Sequence, residues 1–481
     1  MRRVATLLAA TALVLTSLVG APERALGAST YPMTFPVAGT HHYTDTFGAC
    51  RGTDCSRTHE GNDIMADKMI PIVAVADGTV GWMHNERGVK CCAMALNHDD
   101  GWASWYIHMN NDTPGTDDGQ GWGFAPGIAP GVHVVEGQLI GWVGDSGNAE
   151  NVAPQLHFEL HDPSGTPVDP YDALRAAQTG ALARRSGTSR YGTAKAISEA
   201  GFPSGATEVF VAVGSDFADA LTVGPVAGLA SAPVLLSTST ALPTDTITEI
   251  TRLSPDTITV IGGPGAIGDS VVAQLESLTG APVGRLAGTD RYGTAAAISA
   301  SRFNPGVGTV FVASGSSFPD GLAGSAAAGH IGSPVLLVGL DQIPPATATE
   351  LQRLAPARIV VLGGTAVVSS AVENSLASYA STVDRIGGSD RYETAAAISA
   401  AFFEPGVPKV YIVTGANFPD AVAGVPLAIK NGAPLLLVKD DYVPLATLLE
   451  LRRLNPTDIV ILGGEAAISP WIATILLGVG R

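Results

Sequence analysis

Asp290-Arg291-Tyr292-Gly293-Thr294-Ala295 occurs three times in this chain: it returns as Ser189-Arg190-Tyr191-Gly192-Thr193-Ala194 and as Asp390-Arg391-Tyr392-Glu393-Thr394-Ala395. Other elements follow in the same order. Phe217-Ala218-Asp219 matches Phe318-Pro319-Asp320 and Phe418-Pro419-Asp420. Pro233-Val-Leu-Leu236 matches Pro334-Val-Leu-Leu337 and Pro434-Leu-Leu-Leu437, and Ile261-Gly262-Gly263 matches Leu362-Gly363-Gly364 and Leu462-Gly463-Gly464. The period is about 100 residues, too long for a solenoid unit, so each copy is a domain in its own right.

Within the second copy, helical and strand patterns alternate. Tyr292 to Ser301 reads as helix, Thr309 to Ala313 as strand and Asp320 to His330 as an Ala/Gly-rich helix. Pro334 to Val338 reads as strand, Pro345 to Leu354 as helix with proline at its start, Arg358 to Leu362 as strand and Ser369 to Tyr379 as helix. The strands are short, continuous and apolar, which means burial on both faces. This predicts three α/β parallel-sheet units of Rossmann or toprim-like type. No GxGxxG fingerprint is present, so a dinucleotide site is not expected. The Pro-Val-Leu-Leu runs read first as buried strands, the Gly-Gly pairs as tight strand-to-helix turns, and Asp219, Asp320 and Asp420 as helix N-caps. Arg190, Arg291 and Arg391 are the repeated cations, available to an anionic ligand or to carboxylates between repeats.

Upstream the composition differs. Nine of the ten histidines, all four cysteines and five of the six tryptophans lie at or before His161. Short alternating stretches such as Ile72-Val-Ala-Val75, with many Gly, Asn and Asp turns, predict an antiparallel all-β domain over residues 38–172. Residues 173–185 read as a linker, followed by repeats over 186–284, 285–384 and 385–481. At the start, Arg2-Arg3, the apolar run Val4 to Gly20 and the small residues Ala25-Leu26-Gly27 read as an export signal over residues 1–27. No other stretch looks transmembrane, so no stable membrane insertion is expected after its removal. In an exported chain Cys50, Cys55, Cys91 and Cys92 default to disulfides. A Cys91–Cys92 bond would be strained, so Cys50–Cys55 alone or cross-links between the two clusters are expected. The net charge of -17 argues against a general nucleic-acid binder.

The N-terminal third also carries a metal-type constellation. His59-Glu-Gly-Asn-Asp63 comes first, then His108, then Gln155-Leu-His157-Phe-Glu159. Gly61 and Asn62 make a helical His59/Asp63 pair unfavourable, but a loop leading into a strand brings both to one ion. Gln155 and His157 are two apart on a strand and share a face. Two histidines and a carboxylate are the donor set of a catalytic zinc site. His41, His42, His84, His98, His133 and His161 lack paired ligand spacing and read as surface or supporting residues.

These stretches resemble the lysostaphin/LytM-type zinc endopeptidases of peptidoglycan, over roughly residues 38 to 170. Thr58-His-Glu-Gly-Asn-Asp63, Ile72 to Val80, Tyr106-Ile-His108, Val135 to Val143 and Gln155 to Glu159 carry the likeness. The resemblance implies Zn2+ held by His59, Asp63 and His157, with His108 as a catalytic histidine. It places a second catalytic histidine where Gln155 stands. Glutamine moves no proton near neutral pH, although its amide can hydrogen-bond an oxyanion. Losing one acid–base group costs about 10²–10⁴-fold in rate.

The three copies resemble the type-2 cell-wall-binding repeats of Gram-positive surface proteins, which imply three α/β domains around a pseudo-threefold axis and attachment to an anionic secondary wall polymer. Together the resemblances imply a secreted, wall-anchored zinc metalloendopeptidase acting on peptidoglycan peptides. Gln155 supports a second expectation, a non-catalytic wall-binding, regulatory or surface-layer protein with a degenerate peptidase domain.

Overall fold

The computed structural model describes residues 31–84, 91–150, 152–178 and 182–479. The export signal expected over residues 1–27 lies outside them. Among the described residues no helix is long and apolar enough to cross a membrane.

The N-terminal domain is an antiparallel sheet. Its strands run in the spatial order His41–His42, Asn62–Ala66, Gln155–His161, Ala103–Ile107, Ala93–His98, Gly78–His84 and His133–Val134. Along Gln155–His161, Leu156, Phe158 and Leu160 point into the core with Ile64, Tyr106 and Leu96. The alternate residues Gln155, His157 and Glu159 line a cleft on the opposite face. The domain exceeds its expected bounds at both ends. Met33, Phe35 and Val37 join its core, as do Ala173, Leu174 and Ala177 of the helix Tyr171–Ala177. Two disulfides are present, Cys50–Cys55 and Cys91–Cys92. Cys50–Cys55 forms as one of the two expectations has it, but not alone: Cys91 pairs with Cys92, against the expectation, and the alternative cross-links between clusters do not form, because Cys91 and Cys92 are buried in the core while Cys50 and Cys55 sit on an exposed hairpin.

The three repeats are four-stranded parallel sheets. In the first, the spatial order is Val234–Ser237, Glu208–Val213, Thr257–Ile261, Val283–Leu286. The second repeats this with Val335–Val338, Thr309–Ser314, Arg358–Leu362 and Thr382–Ile386. The expected boundaries at 284/285 and 384/385 therefore cut through strands. In the third repeat the fourth place is filled by Ala183–Arg185, paired in parallel with Val460, Ile461 and Leu462. So the stretch expected to be a linker ends in a strand, held further by the Arg184 guanidinium on the Gly463 carbonyl at 2.8 Å. Each strand that precedes a repeat's first helix completes the sheet of the repeat before it, and the first such strand completes the last repeat. The three domains thereby close into a ring.

Helices Ala218–Leu229, Pro319–His330 and Pro419–Lys430 pack against one another at the centre. Their glycines allow the approach: a Cβ on Gly329 would lie 2.1 Å from Ile429. At one end Phe217, Phe318 and Phe418 meet about the pseudo-threefold axis, with ring centroids 5.9, 6.0 and 6.1 Å apart. Asp219, Asp320 and Asp420 are not N-caps; they sit in the first helical turn, against Gly262, Gly363 and Gly463. Those glycines have positive φ, and a Cβ on Gly363 would lie 2.2 Å from Asp320 Oδ2. Caps are instead supplied by Ser189, Asp290 and Asp390 at the helices carrying the repeated arginines. Arg190, Arg291 and Arg391 each donate to a carbonyl of their own repeat, Gly214, Gly315 and Gly415. Arg291 also reaches Asp216 at 3.0 Å.

The N-terminal domain rests on the third repeat. Arg452 pairs with Asp77 and Glu136, Trp471 packs on His41 at 5.2 Å, and a Cβ on Gly478 would lie 1.7 Å from Thr34 Oγ1. The helix Pro470–Val479 has a single polar side chain, Thr474, whereas its counterpart Asp269–Thr279 carries Gln274 and Glu276 on its outer side. Its apolar surface is what the docked domain covers.

Two outcomes follow. Arg184→Pro, which breaks the pairing of Ala183–Arg185, should destabilise the third repeat by about 2–3 kcal/mol, read as earlier proteolysis within residues 409–479. Burial and the neighbouring Asp216 charge push Asp219 up to about 6 despite Arg291. The folded state then holds a proton that the unfolded chain has released, so this group's stabilisation is present in acid and lost as pH rises through about 6. Unfolding curves of wild type and Asp219→Asn should diverge by about 1–3 kcal/mol between pH 4 and 7, with the variant flatter.

Candidate metal centre

The centre is built by strand register. Asn62–Ala66 and Gln155–His161 pair so that Asp63 lies opposite His157, and Ile107 lies opposite His157 on the other side. Directly opposed residues of an antiparallel pair share a face. His59 arrives from the preceding loop, which passes so close to Gln155–His161 that a Cβ on Gly61 would lie 2.2 Å from the Phe158 carbonyl. Only glycine fits there, which explains the spacer between His59 and Asp63. His108 follows the strand Ala103–Ile107 with a φ of 64°, a left-handed turn that swings its ring back toward the cleft.

The three expected ligands converge. His59 Nε2 lies 2.9 Å from His157 Nδ1 and 3.1 Å from Asp63 Oδ1, and His157 Nδ1 lies 2.8 Å from Asp63 Oδ1. Each is fixed from behind. His59 Nδ1 is 2.9 Å from the Thr46 carbonyl, His157 Nε2 is 2.9 Å from Glu159 Oε1, and Arg51 Nη2 donates to Asp63 Oδ2 at 2.7 Å. Glu159 in turn takes His161 Nε2 at 2.8 Å. This is the outer arrangement that orients histidine and carboxylate donors toward a metal. The donor set suits zinc: two imidazole nitrogens, one carboxylate oxygen and an open cleft beside them.

The charges agree with that reading. Burial would raise Asp63, but His157, His59 and Arg51 bring it down to about 2. Burial would lower His157, but hydrogen bonds and charge from Asp63 and Glu159 hold it up at about 9. Glu159, raised by burial, is drawn down to about 2 by His157 and His161. Two carboxylates thus hold a proton on His157 where the donors meet, a proton that a bound metal ion would displace. His59 and His108 are both lowered, chiefly by burial, and stay neutral at pH 7.

His108 and Gln155 line the same cleft, about 480 Å³ in volume, that contains the three donors. His108 Nδ1 sits 2.8 Å from the Ser146 carbonyl, Nε2 has no hydrogen-bond partner among the described residues, and the ring stands edge-on to His157 at 6.1 Å. Gln155 holds its place through its backbone N–H on the Gly144 carbonyl at 2.9 Å. His161, read from sequence as a surface or supporting residue, supports Glu159, whereas Glu159, Arg51 and Arg57 have no assigned role in the sequence reading. His161 and Glu159 carried a signal: Gln155, His157, Glu159 and His161 are polar residues at every second position of one strand. The arginines carried none, since a short hairpin brings them to the cleft.

The comparisons with known proteins divide the chain at the same place. Residues 184–272, 285–373 and 385–473 match Cell wall binding domain 2 (CWB2), more than half of the chain. Residues 57–170 match Peptidase family M23. The chain is 31% identical over 293 residues to N-acetylmuramoyl-L-alanine amidase LytC of Bacillus subtilis, covering 61% of this chain and 57% of that protein. It is 32% identical over 162 residues to an L-Ala--D-Glu endopeptidase of the same organism, covering 31% of this chain and 44% of that one. It therefore spans about half the length of these relatives. Among solved structures, Cwp6 from Clostridium difficile aligns at a TM-score of 0.58 and 19% identity, over 84% of this chain and 66% of that chain, and supports the fold alone.

His59→Ala should reduce bound zinc from about one ion per chain to none, measured by elemental analysis after dialysis. Glu159→Gln, which weakens the support of His157, should lower zinc affinity by about 10–100-fold in a chelator competition while leaving the stoichiometry at saturation unchanged.

Three copies in order, with the antiparallel domain before them, mean that the chain belongs to the Cell wall binding domain 2 family and carries a peptidase family M23 domain at its N-terminal side.

Proposed function

We propose that this chain is a wall-held metallopeptidase at the cell surface, with His59, Asp63 and His157 holding zinc and the cleft beside them cutting peptide bonds of peptidoglycan. The observation that carries the reading is the convergence of His59 Nε2, Asp63 Oδ1 and His157 Nδ1 within 2.8–3.1 Å of one another. Zinc, when bound, supplies Lewis acidity toward the carbonyl and a nucleophile near neutral pH.

The chain's own residues divide the remaining work. With Nδ1–H donated to Ser146, neutral His108 offers a lone pair on Nε2 to the cleft, so it accepts a proton and later returns it. Gln155 donates an amide N–H to the oxygen that gains charge, and exchanges no proton. Arg51 and Glu159 position donors in this scheme. The repeats, following the family to which they belong, hold the enzyme on an anionic wall polymer. That two Bacillus subtilis relatives are named as an amidase and an endopeptidase supports peptidoglycan as the substrate class.

Gln155 favours a second reading, recognition of wall peptides without cleavage. The zinc-loaded chain incubated with purified cell walls separates the two. New amino termini that disappear in His59→Ala support the hydrolase, and Gln155→His should raise their rate by about 10²-fold through the restored acid–base group. Silence of the wild type at every pH and zinc level, with full binding to the walls, would establish the second reading.

A further inference from the structure

We infer that Arg51 and Arg57 form a carboxylate-receiving rim on the metal cleft, so that this site takes peptides bearing a free carboxylate beside the bond presented to the metal. The inference rests on the reading of the cleft as a peptide-binding site and adds its substrate class.

The hairpin Cys50–Arg51 with Arg57–Thr58 sets Arg51 opposite Arg57, side chains on one face. The Cys50–Cys55 disulfide ties its first strand to the connecting turn, and reciprocal backbone bonds between Gly48, Ala49 and His59 fasten its base to the first metal donor. Both arginines line the cleft with His59, Asp63, His108 and Gln155. Like charges placed directly opposite destabilise a strand pair, so this arrangement needs compensation. Arg51 obtains half of it: Nη2 binds Asp63 Oδ2 at 2.7 Å, while its side chain stays 38% exposed and, among the described residues, Nε and Nη1 have no hydrogen-bond partner. Arg57 is exposed and has no carboxylate within 4 Å among the described residues. In a chain of net charge -17, two opposed guanidinium groups at the mouth of one cleft are a local exception.

Other charges in the cleft do not cancel them. Asp63 is shared with His59 and His157, and Glu159 is taken up by His157 and His161. Glu60 also lines the cleft. On its hairpin side the cleft therefore presents two guanidinium groups. Guanidinium groups bind carboxylates through paired, charge-assisted hydrogen bonds, with a geometry that an amide or a glycine run cannot match. Because Arg51 also touches a metal donor, a substrate carboxylate held there lies next to the reacting bond.

The test uses the full zinc-loaded chain and two fluorescent peptides, identical except that the residue next to the scissile bond carries a free carboxylate or its carboxamide. The carboxylate peptide should bind about tenfold more tightly by anisotropy, an advantage that shrinks with added salt. Arg57→Gln should bring the two peptides to within about twofold, with zinc content unchanged; Arg57→Glu should favour the amide. If the site cleaves, the discrimination should lie in KM. Equal binding of both peptides by the wild type, or a preference that survives Arg57→Gln and Arg51→Gln alike, would overturn the inference. Carboxylate-selective binding without cleavage would leave it standing and remove the hydrolase reading. Cleavage of both peptides at equal KM would do the reverse.

Discussion

Asp63 faces His157 because two neighbouring strands pair in one register and no other. A slip by one residue would send His157 into the core and Phe158 into the cleft, at the cost of burying a charged ring and exposing an aromatic one. The apolar residues Ile64, Leu156, Phe158 and Leu160 therefore do more than fill the core; they fix where the donors point. The other features of the cleft are hung on that pairing. His59 needs Gly61 to pass the adjacent strand, His108 needs a left-handed turn at the end of the next strand, and Glu159 needs to be two residues beyond His157.

The repeats solve a different problem with the same economy of parts. Each unit has three strong apolar strands and leaves an edge for a fourth. The polar strands Val283–Leu286, Thr382–Ile386 and Ala183–Arg185 cover those edges. Unpaired edges invite association with other chains, and here every third strand is covered from within. Small residues along the central helices then let the units approach closely, with the phenylalanine trio at one end.

Much of this could be read in the order of residues. The repeat, its buried strands and the alternation of helix and strand follow from periodicity, as do the antiparallel domain and the pairing of Gln155 with His157 on one face. The covering strands are not legible in the sequence because Gly284, Arg285, Asp384 and Arg385 look like loop residues, and because Ala183–Arg185 finds its partner far along the chain, where Arg184 bonds Gly463. Short edge strands need little hydrophobicity, so composition does not mark them. The rim arginines are not legible for a related reason: their place depends on a hairpin of two-residue strands. Asp219 was placed on the right helix end but in the wrong role, since a cap and a buried first-turn carboxylate share a sequence position to within two residues.

Ring closure makes the number of repeats a discrete quantity. In an open array a unit can be gained or lost and the rest keeps its shape. Here the strand at residues 183–185 and the edge at residues 458–462 are made for each other, and they meet only after a turn through three domains. A duplication or deletion of one unit would leave a strand without an edge and an edge without a strand, so copy number cannot drift by single steps. The same closure joins the start of the chain's repeat region to its end, and the N-terminal domain sits at that seam.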